Sequence, residues 1–523
     1  MHRVKRWLAI YAPVMLSGLL LGLTRLPVHL HFLAFFCLLP LFAWFARGQS
    51  TKRSVVAGFV LSAAYTLTAL HWLALTARHA MVPRAWEIPM GAGIPLGLII
   101  LFGAYFTLLF LLIRLAWRSR YRLWLVGGLW LGFEWLQGLG EFRFPWHDLG
   151  YTIAPYTVLL QPAELGGVYL VSLLVFAMNA LLWQAWRARR RRELLCAAAL
   201  LLVWLGYGVW RMHTLPLQDT GVQIGLVQAS IPQEQKWDPG CEDENFALYS
   251  QATQRLAAAG ADLVIWPESA ITLPILHTEY GIGQRGQDFV LNQARSQNVH
   301  IFTGFPHFVR NTPSDPQYRY KPYLYYNSCT QVTAAGVEEP YHKIALVPFG
   351  ERMPWLGTFP FLWRVQLGQA NFEYGTRHVM FEVDSLRYSP LICFEMALPR
   401  LTREMAVEGA QVIVNISNDG WFGRSWGTWQ HAQMSRYRAI ETRRMVYRAA
   451  NTGVSMIVDP MGRVLARAGM FERKELLASA LIAKTLTPFC RGGYLLPVVA
   501  GVAALLLTLA TAWRNRHTTD DTA

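Results

Sequence analysis

Seven long apolar runs precede residue 212 and an eighth lies near the C-terminus, so this chain cannot bury its hydrophobic surface in one water-soluble globule. The runs fall near 8–23, 28–46, 54–76, 90–113, 121–138, 166–186, 194–211 and 493–513, and each is expected to cross a membrane. The first two are separated only by a short turn around Pro27 and read as a hairpin. The first run is read as a span rather than a cleavable signal peptide, because six more spans follow it and no small-residue cleavage site stands out.

The connections between runs alternate in charge. Basic residues collect at Arg3, Lys5 and Arg6; at Arg47, Lys52 and Arg53; at Arg114, Arg118, Arg120 and Arg122; at Arg187 and Arg189 to Arg192; and at Arg514 and Arg516. These are alternate connections, and the intervening ones are poor in Lys and Arg. The basic side is therefore expected to be cytoplasmic, with the long segment 212–492 outside. Less Asp520 and Asp521 of the tail, these basic residues carry the whole formal charge of +15, so the charge is a topology signal and no nucleic-acid partner is expected. A composition of 53% hydrophobic and 15% charged residues, with 21 Trp, fits a membrane protein with an aqueous part. Three parts are expected: a membrane domain of about seven helices over 1–211, an exported catalytic domain over 212–492, and a final span with a cytoplasmic tail over 493–523.

Residues 212–492 read as one α/β domain. Apolar, β-rich runs lie at Val222–Gln228, Asp262–Trp266, His300–Gly304, Asn327–Thr333, Ser389–Cys393, Val412–Ile416 and Ser455–Asp459. Helical patterns fall near 242–259, 284–298, 396–408 and 429–447. Long Pro-containing loops at 306–322 and 348–362 are candidate site-lining or lid segments.

Three groups able to do chemistry sit at or near the ends of strand-like runs, where α/β sheets place their ligands. Glu268 follows Leu263–Val264–Ile265–Trp266–Pro267, and its apolar flanks suggest a partly buried general base. Lys343 stands in Tyr341–His342–Lys343–Ile344, followed by Pro348–Phe349–Gly350–Glu351; a lysine there can lower a thiol pKa and hold an oxyanion. Cys393 ends Pro390–Leu391–Ile392–Cys393 and is followed by Phe394–Glu395 and a helical pattern, an arrangement analogous to a nucleophile elbow that would favour thiolate. An isolated Cys is more often an inert small hydrophobe, and it is the ordered partners that make Cys393 a nucleophile candidate. His342 offers a Cys–His pair, less supported than Glu–Lys–Cys. The six cysteines, Cys37, Cys196, Cys241, Cys329, Cys393 and Cys490, contain no CxxC or Cys/His cluster, so no metal site and no cofactor are expected. Cys37 and Cys196 lie in apolar runs; whether the other four include a disulfide is left open by the sequence.

Trp266–Pro267–Glu268–Ser269, Lys343 with Leu346 to Glu351, and Cys393–Phe394–Glu395, separated by about 75 and 50 residues, resemble the Glu–Lys–Cys triad of the nitrilase (carbon–nitrogen hydrolase) superfamily. The membrane-flanked layout resembles one branch of it, the bacterial apolipoprotein N-acyltransferases. Further pieces carry that resemblance: Glu134–Trp135–Leu136, Phe144–Pro145–Trp146, Leu149–Gly150–Tyr151, Gln228 through Gln233, Lys236–Trp237, Asn418 to Gly423, and Arg448 to Gly453. The resemblance implies an αββα-sandwich catalytic domain on an eight-span base in the bacterial inner membrane, facing the periplasm. It implies that a phospholipid, usually phosphatidylethanolamine, acylates Cys393 with release of lysophospholipid, and that the α-amino group of a diacylglyceryl-cysteine apolipoprotein then takes the acyl chain. Glu268 would be the base and Lys343 an oxyanion holder. Glu351 and Glu395 would be supporting acids, with Phe394 beside the nucleophile, and Trp237 and Trp421 would bind substrate. Phe394 stands where some relatives carry Tyr, Gln137 where Arg is expected, and Arg352 where an apolar residue is frequent; none of these disrupts the triad.

Two other readings remain for the residues alone. A membrane-tethered amidase would use the same triad with water as acceptor, but eight spans are excessive for a tether. A transporter or receptor would show polar pairs along the spans and internal repeats, and neither is evident. Glu134, inside an apolar span, is functional or structural by default.

Overall fold

The structure is a computed structural model and describes residues 2–79, 84–276, 283–311, 323–365 and 371–520. The chain divides into two compact units. One comprises Met1–Ala77, Ile88–Thr214 and Arg491–Ala523; the other comprises Arg78–Glu87 and Leu215–Cys490.

The first unit is helical. Among the described residues, five helices are long and apolar enough to cross a membrane: Arg3–Leu23, Arg84–Ala116, Ala163–Ala188, Arg191–Thr214 and Gly493–Arg514. The run expected at 54–76 is a pair, Thr51–Ala69 and His71–Arg78, bent by 61°. The run expected at 28–46 is not one helix. It breaks into a 3-10 turn, His31–Phe35, and the short helix Leu39–Phe45, whose early Pro40 cannot donate a hydrogen bond back into the preceding turn. The run at 121–138 forms a helix, Arg122–Gln137, of only 16 residues, or about 24 Å at 1.5 Å per residue against a hydrocarbon core of about 30 Å. Small residues let helices approach closely here, since a Cβ on Gly128 would lie 2.7 Å from the Ala500 carbonyl oxygen and one on Gly132 3.0 Å from Gly501 Cα. Glu134 is buried, and its Oε1 accepts hydrogen bonds from Trp130 Nε1 at 2.9 Å and from the Leu149 N–H at 2.7 Å. It therefore ties the Arg122–Gln137 helix to the Leu149–Ile153 turn.

The second unit is an α/β sandwich of two sheets. Its strands are β1 (Gln218–Gln228), β2 (Leu263–Ile265), β3 (His300–Arg310), β4 (Tyr323–Thr333), β5 (Gly336–Val337), β6 (Tyr341–His342), β7 (Phe381–Val383), β8 (Leu386–Ile392), β9 (Val412–Ser417), β10 (Met445–Ala450), β11 (Met456–Val458), β12 (Val464–Arg467) and β13 (Lys474–Ile482). One sheet has the order β13-β1-β2-β3-β4-β5, with β6 also paired to β4; the other runs β12-β11-β10-β9-β8-β7. The central strands, β1-β2-β3 and β8-β9-β10, are parallel. Their central stretches are buried, as in Leu263–Ile265 and Val412–Ser417, because both their faces are covered.

The faces between the sheets meet through Phe302, whose ring lies 5.3 Å from Phe381 and 5.5 Å from Tyr388, and through the Tyr447 hydroxyl, which donates to the Ala478 carbonyl at 3.1 Å. Helices cover the outer faces. Glu242–Ala258 and Gln284–Gln297 pack on the first sheet through Tyr249, Ala252, Leu256, Val290 and Ala294, against Val264, Trp266 and Ile301. Burying each larger apolar side chain of this kind contributes roughly 1.5–3 kcal/mol. Pro399–Val407 and Trp426–Thr442 belong to the second sheet's side.

Two sequence expectations shift. The helix expected at 429–447 ends at Thr442, with Arg443 turned into the left-handed region at φ 51° and β10 starting at Met445. The loop expected at 306–322 begins as strand: β3 continues through Pro306, which pairs with Asn327, to Arg310, while residues 312–322 lie outside those described. The stretch 348–362 is irregular apart from short turns.

Candidate active site

The C-terminal ends of the parallel strands deliver the polar groups. β2 ends at Ile265 and the chain turns at Pro267 to present Glu268; Ser269, at φ 49°, completes the turn. β9 ends at Ser417 and presents Asn418 and Asp419. β8 ends at Ile392 and leads into a 3-10 turn, Cys393–Ala397, with Cys393 itself at φ 51°. A left-handed non-glycine residue costs on the order of 1–2 kcal/mol, a strain typical of nucleophile elbows. Lys343 follows β6, whose pairing with β4 brings the Lys343 N–H to the Asn327 carbonyl at 2.9 Å.

These elements bring Glu268, Lys343 and Cys393 together. The buried Glu268 carboxylate accepts from Asn327 Nδ2 at 2.7 Å through Oε1 and from the Asn418 N–H at 2.7 Å through Oε2. Lys343 Nζ lies 2.8 Å from Glu351 Oε1 and 3.7 Å from Glu268 Oε1. Glu351 Oε2 accepts from the Val347 N–H at 2.8 Å, which closes the loop after Lys343 on itself. Burial would push the Lys343 ammonium down, but Glu351, Glu268 and Cys393 outweigh it and hold the amine above the ordinary lysine range. The site therefore keeps a permanent cation.

Cys393 as a residue is partly exposed. Its thiol is pushed up by burial and further by Glu268, with Lys343 opposing. The thiolate expected from a helix N-terminus is thus not the resting form. The turn after Cys393 is a short 3-10 segment, and the α-helix proper begins only at Pro399. Glu268 is the carboxylate with the largest electrostatic effect on this thiol.

Glu395, fully buried, braces the elbow. Its Oε2 accepts from the Ile392 N–H at 2.7 Å, and its Oε1 accepts from the Tyr341 hydroxyl at 2.9 Å and from the N–H groups of Ile344 and Ala345 at 2.7 and 2.9 Å. One carboxylate thus ties the Cys393 turn to the strand and loop that flank Lys343. Phe394 is buried beside the nucleophile, whereas Trp237 is 44% exposed and Trp421 is half-buried. Trp237 follows Lys236, whose Nζ donates to the Glu268 carbonyl at 2.8 Å, and Trp421 sits in the turn Asp419–Phe422 that follows Asn418. Burial pushes the Lys236 ammonium down to about 7, with Glu268 opposing.

The imidazole nearest the nucleophile is not His342. That ring pairs with His307 at 3.0 Å and stacks on Tyr326. His431, on the helix Trp426–Thr442, takes the place instead, with Nε2 3.0 Å from the Cys393 carbonyl oxygen. Sequence reasoning missed it, along with Asn327 and Ser417, and marked Asp419 and Arg448 only as parts of the Asn418–Gly423 and Arg448–Gly453 motif pieces, with no role. For Asn418 and Asp419 a signal existed, since they follow an apolar β-rich run as Glu268 and Cys393 do. His431 lies in a helix buried along nearly its whole length, and no periodicity singles it out.

Donor atoms of Cys393, Asp419 and His431 lie within 4.8 Å of one another. That spacing resembles a ligand set, but the Arg448 guanidinium already lies 2.7 Å from Asp419 Oδ2 and 3.1 Å from His431 Nδ1, a cation where a metal ion would have to sit. The six cysteines are unbridged.

A family model described as apolipoprotein N-acyltransferase N-terminal domain matches residues 17–181, and one described as carbon-nitrogen hydrolase matches residues 223–487. The apolipoprotein N-acyltransferase of Geobacter metallireducens is 30% identical over 522 residues, covering 97% of this chain and 96% of that protein. That of Azotobacter vinelandii is 33% identical over 396 residues, covering 74% of this chain and 72% of that protein. An amidase from Nesterenkonia sp. is 17% identical and covers 51% of this chain and 92% of its own, with a TM-score of 0.36.

Proposed function

Because the chain belongs to the apolipoprotein N-acyltransferase family, we propose that Cys393 carries an acyl chain from a phospholipid to the N-terminal α-amino group of a diacylglyceryl-cysteine apolipoprotein. The observation that carries this is the pairing of a buried carboxylate, Glu268, with a permanent cation, Lys343, around a partly exposed cysteine. That set can deprotonate a nucleophile and hold the oxyanion that its attack creates.

In the first half-reaction Glu268 takes the Cys393 proton as Sγ attacks the ester carbonyl carbon of the phospholipid. Lys343 and a backbone N–H of the elbow hold the tetrahedral oxyanion. The C–O bond breaks, the leaving alkoxide takes the proton from Glu268, and lysophospholipid departs from a thioester. In the second half the neutral α-amine attacks the thioester carbonyl and gives a proton to Glu268. The C–S bond breaks, the thiolate recovers that proton, and an amide is released. The thiol proton leaves with the lysophospholipid in the first half and is restored by the amine in the second, and because the first product departs before the amine reacts, the kinetics are ping-pong. Glu351 sets the position of Lys343, and Glu395 sets the elbow against it. Trp237 and Trp421 are the aromatic surfaces assigned to substrate.

The donor is assigned as phosphatidylethanolamine, and the enzyme to the inner membrane with its catalytic unit on the periplasmic side. Support comes from the alternate basic connections and from the family. Incubating the full-length enzyme with phosphatidylethanolamine alone should add one acyl mass at Cys393, and the Cys393→Ala protein should gain none. N-acylation of a diacylglyceryl peptide by Cys393→Ala would overturn the nucleophile assignment.

A further inference from the structure

His431 lies between the nucleophile's own peptide and a buried ion pair, and its hydrogen bonds determine which nitrogen carries the proton. Nε2 faces the Cys393 carbonyl oxygen at 3.0 Å. A carbonyl only accepts, so Nε2 must be the protonated, donating nitrogen. Nδ1 faces the Arg448 Nη2 at 3.1 Å and Asp419 Oδ1 at 3.2 Å. A guanidinium only donates, so Nδ1 accepts from Arg448 and carries no proton. Asp419 is an acceptor on both oxygens, Oδ1 receiving the Ser417 hydroxyl at 2.7 Å and Oδ2 receiving Arg448 at 2.7 Å. Burial and Arg448 both push the His431 imidazole down, so it stays neutral. Asp419 would be pushed up by burial, but the Arg448 guanidinium beside it outweighs that and keeps it ionised. Arg448 is itself fixed by Asn415 Oδ1 on β9.

In a trans peptide the C=O and N–H point in opposite directions. A donor gripping the Cys393 carbonyl therefore aims the Phe394 N–H to the other side of the same peptide. In an elbow, the N–H after the nucleophile is the group placed to meet the developing oxyanion. The strained φ of 51° at Cys393 makes this peptide one that needs holding.

We propose that His431 is a positioning residue for acyl transfer: Arg448 fixes it as the Nε2–H tautomer, that N–H holds the Cys393 carbonyl, and the Phe394 N–H is thereby aimed as an oxyanion donor. This rests on the reading of Cys393 as the acylated nucleophile. The arrangement serves the tetrahedral step and not the thiol itself. Alkylation by iodoacetamide, in which the Sγ–C bond forms as iodide leaves, involves no oxyanion and should not depend on it.

The test compares His431→Gln, whose amide N–H can reach where Nε2 was, with His431→Asn, whose shorter amide stays near the Nδ1 position. Full-length protein in detergent is followed by intact mass during acylation from phosphatidylethanolamine and, separately, during alkylation by iodoacetamide. His431→Asn should acylate about 10²–10³-fold more slowly, the loss typical of one oxyanion donor, with the phospholipid KM unchanged. His431→Gln should recover most of that rate, and both should alkylate as the wild type does. Wild-type acylation by His431→Asn, equal losses in the two variants, or alkylation falling in step with acylation would each overturn the proposal. A wild-type enzyme that takes no acyl mass at Cys393 would overturn the nucleophile reading itself, and this proposal with it.

Discussion

Asn327 Nδ2 donates to Glu268 Oε1 at 2.7 Å and to Glu351 Oε1 at 2.9 Å, so a single side-chain amide holds two carboxylates around one lysine. The two carboxylates repel each other, and each is also drawn to Lys343. Without the amide, Glu268 would be free to close onto the lysine as Glu351 has done, at the expense of its role toward Cys393. Asn327→Leu keeps the volume and removes both hydrogen bonds. A hydrogen bond to a charged group contributes about 1.5–3 kcal/mol, so acylation by phospholipid should slow by about 10–100-fold at 1.36 kcal/mol per decade. Intact-mass time courses measure the rate, and an unchanged rate would show that Asn327 does not position the base.

Lys236 makes a pH prediction whose sign can be worked out. Its ammonium is pushed from the ordinary 10.5 down to about 7 by burial. Between those values the unfolded chain binds the proton and the folded one does not, so wild-type stability from this group rises as pH rises through the window. Below about 7 the charged amine is buried in full and the cost is greatest. Lys236→Met loses the bond to the Glu268 carbonyl but has no such titration. The unfolding free energy of wild type relative to Lys236→Met should therefore climb between pH 7 and pH 10, with a slope approaching about 1.4 kcal/mol per pH unit, and the melting temperature should climb with it. Parallel melting curves across that range would contradict the lowered value.

The difference between these two residues shows what a sequence can and cannot disclose. Glu268 and Cys393 were legible because each ends a short apolar run, where a parallel strand exposes its last side chain. Lys343 was legible from its neighbours. Asn327 and Lys236 act through contacts with residues tens of positions away, so the run Asn327–Thr333 and the piece Lys236–Trp237 mark their positions without disclosing those contacts. The end of the helix at Thr442 was hidden for another reason: Arg443 adopts a left-handed conformation usually given to Gly or Asn, and no Gly or Pro marks the stop before β10. The six-stranded sheet gains β7, β10 and β12 that the sequence reading did not mark, the first and last short and at its edges. The broken run at 28–46 shows that hydropathy reports burial in an apolar medium without reporting helix continuity.

Glu395 joins two backbones, the Cys393 turn and the residues after Lys343, whose register the proposed catalysis depends on. Glu395→Gln turns one acceptor oxygen into a donor NH2, which then faces a backbone N–H whichever way the amide is placed. Leaving such donors unsatisfied costs about 1–3 kcal/mol, and the site loses the tie between the Cys393 turn and the residues after Lys343. The variant should melt several degrees lower and acylate at least about tenfold more slowly at saturating phospholipid. A variant with lowered melting temperature and wild-type acylation would assign Glu395 to stability alone.

Gly304 tests whether the placement of Glu268 matters more than its presence. A Cβ there would lie 2.7 Å from the Ser269 nitrogen and 2.9 Å from Glu268 Cα, both backbone atoms that cannot swing aside. Ser269 is already at φ 49°, and the Ile271 N–H is bonded to the Gly304 carbonyl, so the turn has little freedom to relax. Gly304→Ala should therefore push the Glu268 turn away from β3 while leaving every catalytic side chain in the sequence. Overpacking of this kind costs about 1–3 kcal/mol, and a displacement near 1 Å at a reacting group costs about 10²-fold in rate. On the proposal that Glu268 is the base for the thiol itself, alkylation of Cys393 by iodoacetamide should slow together with acylation, the opposite of the split expected for His431→Asn. Acylation and alkylation both at wild-type rates in a folded Gly304→Ala protein would mean that the strand yields, and that the position of Glu268 is set by Asn327 and Asn418 without help from the packing beneath it.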